Sequence, residues 1–167
     1  MDYENSVVKT LEKTPDLNEY VGVDSEIKDN KILLNANINN VKTQLLFDTG
    51  SDAYIMLNQN PFFDEPEDLA YETRIITANN VQSYPLNKVY ANQSISVGGI
   101  LNDNNLISVV RSFNANGVGI QFIKNYNWII DFKKKKVYAK KIKDFNSSSF
   151  IEKLTSAKYK VMATNGH

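Results

Sequence analysis

Several residue types that carry catalysis in other enzymes are missing from this 167-residue sequence, or nearly so. There is no cysteine, which excludes a thiolate nucleophile and a cysteine-ligated zinc site. The single histidine, His167, is the last residue, which argues against a Ser-His-Asp triad and against a histidine-rich metal centre. Chemistry at neutral pH must therefore come from carboxylates, hydroxyls, lysine and tyrosine.

The sequence also has no net charge and no long apolar run. Lysine plus arginine equals aspartate plus glutamate at 19 each, so the whole chain has no net field toward nucleic acid or anionic lipid. No apolar stretch approaches the roughly 20 residues that span a bilayer. Met1–Glu4 lacks the basic and apolar regions of a secretory signal. Two alternatives follow: a cytoplasmic chain, or a periplasmic or secreted chain whose leader has been removed.

What the sequence does have is a series of short segments in which apolar and polar residues alternate. Leu34, Ala36 and Ile38 alternate in this way, and Asn39-Asn40 then gives a two-residue hairpin signal, because asparagine tolerates positive φ. Further strand-like segments follow at short spacing: 41–47, 53–57, 73–77, 81–90, 93–97 and 106–110. This pattern predicts an all-β fold, a sandwich or barrel, decorated by short helices.

Two helices and a domain boundary are also predicted. Helical spacing of apolar residues indicates a short amphipathic helix within Glu4–Lys13, and a second short helix is expected at Ile120–Tyr126. The loose polar run Asn146–Ser149 indicates a linker or a helix cap. The sequence therefore divides into an N-terminal helix and lead-in strand (1–30), a main domain (31–143) and a tail (144–167), which could begin a further module.

The last part of the main domain predicts a hairpin, Trp128–Phe132 and Val137–Lys141, around the basic run Lys133–Lys136. We interpret this run as a solvated turn, with a nucleic-acid patch as the alternative.

The segment with the clearest chemical content is Asp48-Thr49-Gly50-Ser51, which follows the apolar run Leu45-Leu46-Phe47. An aspartate at the end of a buried strand is costly to ionise unless hydrogen bonds compensate for burial. Gly50 lets backbone amides approach that carboxylate, and Thr49 and Ser51 supply hydroxyls. Read alone, the tetrapeptide favours an ordinary β-turn.

With its context, this motif resembles that of retropepsin-like aspartic proteases of the bacterial type, over roughly Lys31 to Lys141. Two apolar residues followed by Asp-Thr-Gly-Ser match the family pattern at Leu46–Ser51. Gly117-Val118-Gly119, entering a short helix, is similar to the family's later apolar-apolar-Gly landmark, although Gly117 stands where an apolar residue is usual. The resemblance implies a closed acid-protease half-barrel, an aspartic endopeptidase activity, and neither cofactor nor metal.

The resemblance also implies site residues and partners. Asp48 would be the catalytic carboxylate, with Thr49, Gly50 and Ser51 forming its loop. A substrate-covering flap would be a hairpin in Arg74–Val89 with its tip at Ala78-Asn79-Asn80. Aspartic proteases need two carboxylates that share a proton, and this chain has one Asp-Thr-Gly, so a homodimer or a second half-domain must supply the other.

Three functions remain open at this point. The first is an aspartic peptidase that hydrolyses polypeptide, with no nucleic-acid partner. The second is a non-catalytic peptide-binding or scaffold domain with the same fold. The third is an unrelated β-barrel that binds a small molecule.

Overall fold

The computed structural model describes residues 1–13, 15–58, 76–77, 80–81, 88–91, 93–109 and 115–152. Within these ranges the chain is all-β with short helices, as predicted. Most strands belong to one large curled sheet, whose order is β10-β9-β3-β4-β12-β5-β11-β8, with β2 paired to β3. Its strands are β2 (Ser25–Lys28), β3 (Lys31–Ile38), β4 (Val41–Phe47), β5 (Ile55–Leu57), β8 (Lys88–Ala91), β9 (Ile95–Val97), β10 (Ile100–Asn102), β11 (Leu106–Val109) and β12 (Gly117–Val118).

A smaller three-stranded sheet packs beside the large one. Its order is β1-β14-β13, with β1 (Val21–Val23), β13 (Tyr126–Asp131) and β14 (Lys136–Lys141) all antiparallel. This confirms the predicted terminal hairpin around the lysine run. A two-stranded ladder, β6 (Ile76–Thr77) and β7 (Asn80–Val81), stands apart from both sheets.

The hairpin between β3 and β4 forms where the sequence predicted it. Ile38 pairs with Val41, and the two residues between them, Asn39 and Asn40, have φ of 48° and 68°. Positive φ at both central residues gives a turn whose twist matches that of the flanking strands, and asparagine adopts it at low cost. This turn fixes the register of β4, and so the position of the motif that follows it.

Helices are few and short. Helix α1 covers Ile120–Ile123, so the predicted helix at this place ends earlier than expected, because Tyr126 already belongs to β13. Residues 147–152 are also helical, and Asn146 caps them by accepting the Ser149 N–H at 2.8 Å. None of the helices in the described ranges has the length and apolar character needed to cross a membrane.

The predicted helix within Glu4–Lys13 is wrong. Asp2 and Val7 instead form an antiparallel bridge around a turn, and residues 8–13 have no regular structure. Val8 and Leu11, which suggested an apolar helical face, are exposed. The segment is held by β13: the backbones of Met1 and Trp128 exchange two hydrogen bonds, of 2.7 and 2.8 Å. Edge pairing with a strand has overridden a weak helical pattern.

The hydrophobic core lies between the two sheets and α1. Among the described residues, its largest fully buried side chains come from several strands and α1: Leu34, Ile38, Leu45, Ile55, Ile107, Phe122, Ile123 and Trp128. The core continues beyond residue 143, where the sequence placed the end of the main domain. Phe145 is buried, and its ring centroid lies 4.2 Å from that of Tyr54. The first part of the predicted tail therefore packs with the main domain.

Candidate active site

Strand β12 lies between β4 and β5, although β4 and β5 follow each other in the chain. It runs parallel to β4, with Gly117 opposite Leu46, and antiparallel to β5, with Gly117 opposite Met56. The connection from β4 to β5 must therefore cross over the end of β12. This connection, residues 48–54, contains the Asp-Thr-Gly-Ser motif and is called the Asp48 loop below.

Asp48 is held from both its backbone and its side chain. Its N–H donates to the Val118 carbonyl at 3.0 Å, which continues the β4–β12 pairing by one residue. The Gly50 N–H donates to Asp48 Oδ1 at 2.9 Å. Among the described residues, no hydrogen bond is made to Oδ2. One carboxylate oxygen is thus fixed, while the other remains available to a ligand, a water or a second carboxyl group.

None of the four motif residues is fully buried. Asp48 and Ser51 are half-buried, whereas Thr49 and Gly50 are exposed. The Ser51 hydroxyl accepts the Ala53 N–H at 3.3 Å, so it braces the loop internally. The structure therefore places all four predicted motif residues in one short, hydrogen-bonded loop.

Helix α1 locks the far side of the Asp48 loop. The Ile120 N–H donates to the Ser51 carbonyl at 2.7 Å, and the Gln121 N–H donates to the Ala53 carbonyl at 3.2 Å. The first amides of a helix have no partner within it, so loop carbonyls that accept them satisfy both elements. The Gly119 N–H adds a bond to the Tyr54 carbonyl at 3.1 Å. The Gly117-Val118-Gly119 segment and the helix after it are therefore in direct contact with the Asp48 loop.

At position 119 only glycine leaves enough space for the backbone of the Asp48 loop. A Cβ at this position would lie 2.4 Å from the Ala53 carbonyl oxygen and 2.6 Å from that of Ser51. Its φ of −103° is open to any residue, so the requirement is for space, not for conformational freedom. The backbone of β12 can pass under the Asp48 loop only because this side chain is absent.

Aromatic packing supports the strand that leads into Asp48, and sequence reasoning missed it. Phe47 meets Trp128 edge-on, with ring centroids 5.0 Å apart. Trp128 is fully buried, and its Nε1–H donates to the Ile123 carbonyl at 2.8 Å. The sequence showed an apolar residue before Asp48 and a tryptophan in the last hairpin, but no pattern in it links the two.

A buried polar cluster supports the other end of the loop. The hydroxyls of Tyr54 and Tyr126 both donate to Asn102 Oδ1, at 3.3 and 3.0 Å. Burial raises the pKa of Tyr126 to about 12, with a smaller contribution from Asp144. Burial also raises the pKa of Tyr54 well above its usual range, with smaller contributions from Tyr126 and Asp144. Both hydroxyls therefore stay neutral as donors. Tyr54 anchors the residue before β5, and Tyr126 the start of β13, to Asn102 in β10.

The predicted flap coincides with the β6–β7 ladder, in which Thr77 pairs with Asn80. Asn80 is the first residue of β7. The other two residues of the predicted tip, Ala78 and Asn79, lie outside the described residues, as does much of Arg74–Val89. A short antiparallel ladder, Ile76–Thr77 with Asn80–Val81, is thus present where the flap was expected.

Two other aspartates, Asp52 and Asp131, make hydrogen bonds of their own. Asp52 Oδ1 accepts from Gln121 Nε2 at 2.6 Å, and Asp131 Oδ1 accepts the Lys134 N–H at 2.8 Å in the turn of the smaller sheet. In the described part of the chain, no group of three or more histidine, aspartate or glutamate side chains could hold a metal ion. Asp48 is the half-buried carboxylate of the Asp48 loop and is held by a backbone amide, whereas Asp52 is exposed and bonds a side chain.

Comparison with solved structures finds similarity to a retropepsin-like aspartic protease from Rickettsia conorii. The likeness covers 72% of this chain and 89% of that one, with a TM-score of 0.51 and 21% sequence identity. No protein-family model matches the sequence, and no curated protein matches it. At this identity the likeness shows the fold: the chain has the retropepsin-like half-barrel that the motif indicated.

Proposed function

We propose that this chain is the protomer of an aspartic endopeptidase, in which Asp48 is one of two carboxylates that activate a water. The observation that supports this most directly is the state of Asp48. Its Oδ1 accepts the Gly50 N–H, the described residues leave Oδ2 without a hydrogen bond, and its loop is fixed by α1. A rigid carboxylate with one free oxygen is what a shared-proton pair requires.

The reaction needs a second carboxylate close to the first. Two like charges at hydrogen-bond distance cannot both ionise easily, so the pair holds one proton between them. The ionised member takes a proton from a water lying between the two, and the protonated member polarises the scissile carbonyl. The water adds to the carbonyl carbon, the C–N bond then breaks, and the leaving amine takes up a proton. No covalent enzyme intermediate and no cofactor enters this scheme.

The second aspartate would be Asp48 of another copy, related by a two-fold axis. A two-fold interface puts the same residue of both copies beside the axis, so a chain with one motif gains a complete site. The exposed side chain of Thr49 would lie nearest that axis. A second half-domain in a longer polypeptide would serve the same purpose.

The proposed substrate is an extended polypeptide. An extended segment can pair its backbone with a neighbouring hairpin as an added strand. A flap with its tip at Ala78, Asn79 and Asn80, next to the β6–β7 ladder, would cover it.

The test is Asp48→Asn, with Asp52→Asn as the matched control. An asparagine Oδ1 still accepts the Gly50 N–H, so the loop is preserved, but the group can act neither as base nor as shared-proton acid. Asp52 lies in the same loop, and its bond to Gln121 also survives as an amide. Cleavage of a denatured protein mixture, followed by mass spectrometry from acid to neutral pH, should fall by about 10²–10⁴-fold in the first variant only.

Two results would count against the proposal. Equal cleavage by wild type and Asp48→Asn would remove Asp48 from the mechanism. A folded, dimeric wild type that binds peptides without cleaving them at any pH would favour a peptide-binding domain instead.

A further inference from the structure

The turn between β13 and β14 concentrates charge in a chain that is neutral as a whole. Five consecutive residues, Phe132 to Lys136, are all exposed, and four of them are lysines. Lys134 lies 3.8 Å from Asp131, a loose ion pair. Within the described ranges, Lys133, Lys135 and Lys136 make no ion pair, although Lys136 lies opposite Asp131 in the β13–β14 register. We call residues 132–136 the basic turn.

Two lysines at the other end of β14 do form ion pairs. Lys140 pairs with Glu19 at 2.8 Å, and Lys141 pairs with Asp144. Those charges are balanced locally, whereas the basic turn keeps most of its charge unpaired at the end of a hairpin. Electrostatic attraction to an anionic surface depends on such local concentration more than on the net charge of the molecule.

The backbone of the basic turn also retains lysine where another residue would fit better. Lys135 has φ of 53°, in the left-handed region that favours glycine and asparagine. Two other hairpin turns in this chain satisfy the same demand with Asp29-Asn30 and Asn39-Asn40. In a solvated turn with no further role, asparagine would adopt this positive φ at lower cost than lysine.

Phe132 adds an apolar group to the same surface. It is 60% exposed, and it is the one aromatic residue among the large hydrophobic side chains that the described ranges leave exposed. Lysines that flank a protruding aromatic ring are typical of proteins that lie on membranes, since the ring enters the interface while the ammonium groups meet anionic headgroups.

We propose that the basic turn docks this protein onto the surface of an anionic lipid bilayer, an inference independent of the proposed peptidase activity. The charge of the turn is carried by lysines, whose ammonium groups are compact, strongly hydrated point charges. Specific recognition of nucleic-acid or protein phosphates favours the bidentate geometry of arginine, which the turn lacks. Its few charges at one hairpin tip match a shallow contact with headgroups.

The experiment compares vesicles of phosphatidylcholine with vesicles that also contain phosphatidylglycerol, pelleted with the full chain at low ionic strength. Wild type should pellet only with the anionic vesicles. The variant Lys133→Gln/Lys135→Gln/Lys136→Gln should lose on the order of 100-fold in association constant, because each lysine near such a surface contributes about fivefold. Phe132→Ser should lose about tenfold, from the apolar area no longer buried.

The control removes three other exposed lysines, Lys9→Gln/Lys13→Gln/Lys42→Gln, which changes the net charge by the same amount. All variants should keep the wild-type urea midpoint, since these side chains are exposed. A far smaller loss in the control supports docking through the basic turn. Equal losses in both triple variants would overturn it, as would wild type that fails to pellet. Binding to a DNA oligonucleotide but not to anionic vesicles would also overturn it.

Discussion

The contact between Gly119 and the Asp48 loop gives the sharpest structural prediction. Gly119→Ala adds one methyl group at a place where three backbone atoms lie 2.4, 2.6 and 2.9 Å away: two carbonyl oxygens, of Ala53 and Ser51, and the Ala53 nitrogen. Real Cβ atoms essentially never approach other atoms so closely. None of the three belongs to a flexible side chain, so either the loop or β12 must move.

The size of the effect follows from this geometry. Overpacking of a rigid site typically lowers the free energy of unfolding by about 1–3 kcal/mol, and sometimes by more. We expect about 3 kcal/mol, because the displaced groups also carry the bonds from Gly119, Ile120 and Gln121 to the loop. For a domain of this size that lowers Tm by roughly 6–12 °C. The same displacement would move Asp48, so the proposed peptidase activity should be lost as well.

The assay is urea denaturation of Gly119→Ala beside Gly22→Ala. Gly22 lies in β1, has open space where its Cβ would be placed, and does not have positive φ. Alanine there should be neutral or slightly stabilising, by less than about 1 kcal/mol, because it restricts the unfolded chain. If Gly119→Ala unfolds at the same urea concentration as Gly22→Ala, the close passage of β12 under the loop is wrong.

Three further predictions concern the supports of the loop. Folded Tyr126 keeps its proton up to a pH of about 12, whereas the unfolded chain releases it near 10, so the free energy of unfolding should fall as pH rises between these values. Denaturation of Tyr126→Phe across this pH range should lack that part of the pH dependence. Trp128→Phe should lower stability by about 1–3 kcal/mol in urea, since the buried Ile123 carbonyl loses its donor; an unchanged midpoint would contradict this. Phe145→Ala should lower it by about 3 kcal/mol, whereas a linker residue would tolerate the change, as urea titration of the variant would show.

Strand alternation and turn chemistry predicted the fold well, because both are local. The pair Asn39-Asn40 could be placed from sequence since the demand for positive φ lies within two residues. The prediction of an N-terminal helix is wrong because the structure of that segment depends on a distant strand. Nothing in Glu4–Lys13 shows that Met1 would pair with Trp128, a partner 127 residues away. Long-range pairing of this kind overrides weak local preference.

The candidate site, too, could be predicted from the sequence only in part. Asp48 could be found because its motif is contiguous and because competing catalytic groups are scarce. Its supports could not be found, since the space requirement at Gly119 and the Phe47–Trp128 contact arise only when β12 passes between β4 and β5. A glycine with ordinary φ gives no conformational signal in the sequence. Contacts across such a crossing depend on the topology as a whole.

The central claim is that catalysis requires Asp48 from two copies, and subunit mixing tests it most directly. Wild type and Asp48→Asn are unfolded together in equal amounts, refolded, and assayed for cleavage at a concentration where dimers persist. If each site needs an intact aspartate from both copies, only wild-type homodimers cleave, and activity should be about one quarter of that of the same total amount of wild type. Activity of about one half, which independent sites in each chain would give, would contradict the account.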